Sequence, residues 1–117
     1  RQRAHDQVRA RVAAVLRMMD PLRFEGQDRE AVERLRHGYD MFAHAESSPA
    51  HAALVPEHLI SRYAVAGTPD EVHARINGLL ADPRIDRVVV SPQIGAPGQT
   101  ITQDFITQFG AAVLARL

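Results

Sequence analysis

The run Gly67-Thr68-Pro69-Asp70-Glu71 brings together residue types that two different chemistries need. A glycine allows a sharp turn and close backbone approach, and a helix start offers bare N–H groups to an anion. On that reading Gly67 and Thr68 line a cofactor or phosphate site. The same spacing also spells a capping box, with Thr68 accepting from the amide of Glu71 and Glu71 reaching back. Pro69 then sits in the first helical position, where a missing N–H costs nothing. The dinucleotide and phosphate-loop glycine fingerprints are both absent, so the cap is the simpler reading of Thr68. Ser91 and Gln93 raise a similar choice. Gln93 at a strand end is placed to hydrogen-bond a ligand, or the segment is an ordinary loop with Thr100 or Thr102 capping the last helix.

Other residues suggest chemistry and fail on distance. His37, His44, His51 and His58 recur every seven residues. Two turns of helix separate such residues by about 10 Å, whereas a shared zinc needs ligand bonds of about 2.0–2.1 Å. Ser47-Ser48-Pro49 breaks the run besides, and no metal site is expected. His5 and His73 read as solvated helix positions. Glu30/Glu33 and Asp70/Glu71 sit at helix starts, where the macrodipole favours carboxylates. No nucleophile–base pair is evident, and the catalytic residues are unknown.

The elements that must position these groups follow from periodicity. Ala4, Val8, Val12, Val15, Leu16 and Met19 have helical spacing, and Asp20-Pro21 ends that helix. Asp28 is a candidate N-cap for a second helix carrying Val32, Leu35, Tyr39 and Phe42. Residues 1–46 thus form a helical hairpin, and 47–61 form a connection in which Pro56 starts a short turn. "RYAVA" (62–66) reads as a buried strand. The Thr68-capped helix follows, carrying Val72, Ile76, Leu79 and Leu80. "RVVVS" (87–91) has a strong β-branched signal. Residues 62–117 are therefore expected to be two strand–helix units with parallel strands, the last helix bearing Phe105, Ile106, Phe109, Val113 and Leu117.

Composition limits the partners. The chain has 117 residues and no Cys, and its 14 basic residues, all Arg, balance 14 acidic ones. A zero net charge lacks the basic face of a nonspecific nucleic-acid binder and the polybasic stretch of a membrane anchor. No apolar run approaches the ~20 residues of a membrane span. The lack of Cys fits a cytoplasmic location, and the lack of Lys excludes Schiff-base chemistry. The chain opens without Met, inside a helical pattern, so residues before Arg1 are expected.

Two parallel strands do not make a stable sheet by themselves. In that setting Val55-Pro56, Tyr63 to Ala66, Gly67 to Val72, Arg75-Ile76 and Val88 to Pro92 form an ordered pattern. It resembles the C-terminal region of luciferase-like, flavin-dependent oxidoreductases, the superfamily of bacterial luciferase and the coenzyme F420-dependent methylene-tetrahydromethanopterin reductases. The likeness covers most of residues 28–92, and "ADPRIDR" departs from the glycine usual before the final strand. The resemblance implies an α/β fold: the C-terminal portion of a (β/α)8 TIM barrel, with two parallel strands and four to five helices. It implies F420 or FMN as cofactor and hydride transfer or monooxygenation on a small-molecule substrate. Gly67, Thr68, Ser91 and Gln93 would face the cofactor end, and the catalytic residues would lie before Arg1. The partner implied is the rest of the barrel or another copy of the chain. The alternative is a non-catalytic, self-associating module derived from such an enzyme.

Overall fold

The computed structural model describes residues 1–40, 50–91 and 103–117. Five α-helices occur among them: α1 (Gln2–Leu16), α2 (Gly26–Gly38), α3 (Glu57–Tyr63), α4 (Pro69–Leu80) and α5 (Gln103–Ala112). Short 3-10 turns at Pro21–Arg23, Ala50–Leu54 and Leu114–Arg116 complete the regular structure.

The core lies in the first half of the chain. His5, Val12, Ala13 and Leu16 share one face of α1 and are buried there, as the 3.6-residue period requires. Phe24, Val32, Leu35, Val55, Leu59 and Ile60 meet that face. α1 packs mainly on α3 and the Ala50–Leu54 turn, and less on α2. Leu16, Leu35, Leu59 and Ile60 are fully buried, and each contributes about 1.5–3 kcal/mol of transfer free energy. Tyr63 closes the cluster beside Phe24, with ring centroids 6.2 Å apart. α1 ends before Asp20, whose carboxylate accepts from the Leu22 amide at 3.0 Å.

Two N-termini show how local chemistry sets boundaries. α2 starts at Gly26 with Glu25 as N-cap. Asp28, the expected cap, lies in the first turn and accepts from His58 at 2.6 Å. At α4 the capping box is complete. Thr68 Oγ1 accepts from the Glu71 amide at 3.3 Å, and Glu71 Oε2 accepts from the Thr68 amide at 2.9 Å. That bond from the Thr68 amide is the main reason the Glu71 carboxyl is held below its ordinary range, with Arg1 adding to it and partial burial opposing it.

The expected α/β fold is not formed. Among the described residues there is no strand, so the fold is all-helical and is not a portion of a TIM barrel with parallel strands. Arg62 and Tyr63, read as the start of a strand, are the last turn of α3. Leu59, Ile60 and Tyr63 fall on one helical face and pack into the core, and that burial outweighs the strand preference of Tyr63. Ala64 leaves the helix in extended conformation (φ −137°, ψ 154°), but Ala64–Ala66 joins no ladder. Arg87–Ser91 likewise runs without a partner. A β-branched run becomes a strand only when a neighbour takes up its N–H and C=O groups. Among the described residues none is in place, and Val89 stands 82% exposed.

Candidate functional site

The two failed strands end up in the same place. Both border an open groove of about 520 Å³ between α1, α4 and α5. Val8, Val12 and Val15 of α1 line one side, Val72 and Ile76 of α4 another, and Phe105 and Phe109 of α5 a third. The Phe105 and Phe109 rings stack with centroids 5.8 Å apart and planes 14° from parallel. Ala64–Gly67 and Val88–Ser91 form the remaining walls, and Gln7 and Arg11 bring polar groups. The size and apolar lining are those of a small-molecule pocket, whose typical range is about 300–1,000 Å³.

Of the candidate residues, Gly67 and Ser91 both line this groove. Thr68 does not; its side chain and amide are taken by Glu71. Gln93, Thr100 and Thr102 lie outside the described residues. A Cβ at Gly67 would stand 2.5 Å from Glu71 Oε2 and 3.1 Å from Glu71 Cβ, so a larger residue there would displace the Glu71 carboxylate from the Thr68 amide. The helix start that could have cradled an anion is thus closed by Glu71. The groove suits an apolar or planar aromatic group; among the described residues Arg11 lines it as a cation, and none builds a phosphate cradle.

The histidines sort into separate environments. His37 pairs with the Glu33 carbonyl at 2.8 Å, His51 is buried with its ring 4.0 Å from that of Tyr39, and His58 pairs with Asp28. His73 is tied to the Arg116 carbonyl at 2.9 Å. Among the described residues no group of three or more His, Asp or Glu could hold a metal ion.

His5 departs most from its sequence reading as a solvated residue, being only 4% exposed. Its Nδ1 pairs with Glu57 Oε1, and its Nε2 lies 3.2 Å from the Ala66 carbonyl. Arg9 completes the cluster, donating to Glu57 Oε2 at 2.6 Å and to the Val55 carbonyl at 2.7 Å. The Glu57 carboxyl is held below its ordinary range, chiefly by the His5 hydrogen bond, with partial burial opposing and Arg9 adding. The clue lay in the spacing, since His5 shares the helical face of Val12, Ala13 and Leu16.

No family model matches the chain, and no curated protein or solved structure matches it either. No helix among the described residues is long and apolar enough to cross a membrane.

Proposed function

We propose that this chain is the ligand-facing part of a luciferase-like oxidoreductase that uses FMN or coenzyme F420, and that its own task is binding rather than bond making. Two supports meet: the ordered motif over residues 28–92 in the sequence, and the groove itself. The observation that carries the reading is that Gly67 and Ser91, far apart in sequence, line one apolar groove. A flavin or deazaflavin supplies the redox chemistry when bound. This chain's residues would shield its ring: Val72, Ile76 and Phe109 exclude water. The start of α4 is closed to the phosphate by Glu71. The setting that goes with this reading is cytoplasmic, with a small organic molecule as substrate.

The test is a titration of FMN, and separately of F420, with the full chain, following ligand fluorescence. The chain has no Trp, so the signal belongs to the ligand. Saturable quenching is expected, weakened at least tenfold by Phe109→Ala and by Val90→Asp. Unchanged fluorescence for both ligands at millimolar protein removes the reading.

One feature favours the second reading, a non-catalytic module that associates with another copy of itself. Val89, Val90, Phe105 and Ile106 are 82%, 42%, 41% and 54% exposed, and they cluster on and beside the groove walls. Clustered apolar exposure of this kind marks interaction surfaces. A concentration-dependent sedimentation coefficient, abolished by Val89→Asp and unchanged by FMN or F420, would select this module over the enzyme part.

A further inference from the structure

The His5 ring lies between two acceptors, and this geometry restricts its protonation. A neutral imidazole donates through one nitrogen only; the imidazolium donates through both. Nδ1 meets Glu57 Oε1 and Nε2 meets the Ala66 carbonyl, so only the charged ring makes both bonds. When the proton is lost, the remaining N–H stays with the carboxylate, the stronger acceptor. The Nε2 lone pair then faces the Ala66 carbonyl oxygen, and that contact turns repulsive.

We propose that His5 is a proton-controlled clasp: protonated, it pins the Ala64–Ala66 wall of the groove to α1, and deprotonated, it lets that wall go. The charged groups around the ring are Arg9 on α1, Glu57 on α3, and Arg1, Glu71 and Arg75, which line the same open cavity of about 210 Å³. That cavity gives solvent protons access to the buried ring. Arg1 pairs with Glu71 at 3.3 Å, and Arg9 pairs with Glu57 and, at 3.6 Å, with Asp6 of α1. Apart from the ring, the cluster therefore holds its charges largely in pairs, and the ring's proton tips the balance. The clasp has a lower limit as well. It fails when Glu57 itself takes up a proton, which its lowered range places in acid. The groove wall is thus held only while Glu57 is ionised and the His5 ring is protonated. This inference stands whether the groove takes a cofactor or a second copy.

The experiment is an NMR titration of the full chain, following the His5 ring carbons and the Ala66 carbonyl carbon. The Ala66 carbonyl is expected to shift with the same midpoint as the ring, and the Val65–Gly67 amides to exchange about tenfold faster above it, roughly the loss of one ordinary hydrogen bond. Glu57→Gln retains an acceptor but removes the charge, and should move the ring midpoint to lower pH. His5→Gln should remove the titration of Ala66. A ring that titrates while Ala66 stays still overturns the clasp, as does an unmoved midpoint in Glu57→Gln.

Discussion

The two halves of this chain treat apolar side chains in opposite ways. Up to Tyr63, most of them converge: all nine members of the core cluster lie between Val12 and Ile60, and Val15, Met18, Leu22 and Leu54 are left exposed. Beyond Tyr63, only Ile76 and Val113 among the described residues are buried hydrophobics, while Val65, Leu80, Val89, Val90, Phe105, Ile106, Leu114 and Leu117 are exposed. Composition does not explain the contrast, since both halves carry amphipathic helices of similar strength. Partners do. α1 finds α3 and the Ala50–Leu54 turn, whereas α4 finds chiefly α5. The first half has a finished core. The second has an apolar face that needs an occupant, which is why the groove lies on its side of the molecule.

The sharpest way to break this contrast is to cut the same kind of group from each half. Leu59→Ala, at a fully buried position, should cost about 2–5 kcal/mol in urea unfolding. Val89→Ala, at an 82% exposed position, should stay within about 0.5 kcal/mol. Equal costs would abolish the distinction. Next in size, Thr68→Ala removes the cap of α4 and should cost about 1 kcal/mol, read as a loss of helical circular dichroism from α4 with the α1–α3 core intact.

A pH series separates the halves further. The Glu71 carboxyl is lowered in the folded chain, so its contribution is present above the ordinary carboxylate range and is lost as pH falls through the folded value. Acid should therefore loosen the α4 start, and Glu71→Gln should remove that step from the amide exchange of residues 68–72. The smallest effect is expected at the Arg116–Asp70 pair, 2.7 Å apart and open to solvent. Arg116→Ala should change stability by about 1 kcal/mol or less, fading further in salt.

What the sequence made legible was local chemistry. The α4 cap, the end of α1 before Asp20-Pro21 and part of each apolar stripe depend on residues a few positions apart and stand in the structure: Val12 and Leu16 of α1 and Ile76 of α4 are buried, while Val15 and Leu80 are exposed. What could not be read depends on distant partners. Tyr63 has a strand former's side chain, yet Phe24 and the core hold it in a helix. Val88–Val90 has a strand's composition and no ladder to join. His5 looked like a surface histidine because Glu57, fifty-two residues on, carries its partner oxygen. Gly67 and Ser91, which the family resemblance places at the cofactor end, both line the groove. Thr68, named with them, is spent as a cap.

Residue-resolved hydrogen exchange of the full chain, at rising protein concentration, tests the unfinished second half most directly. The account predicts slow exchange through α1, α2 and α3, opening only with the whole molecule. It predicts fast, locally opening amides in α4 and α5, slowed when the groove is filled by FMN, F420 or another copy. Uniformly slow exchange across all five helices in the dilute, ligand-free chain would contradict it.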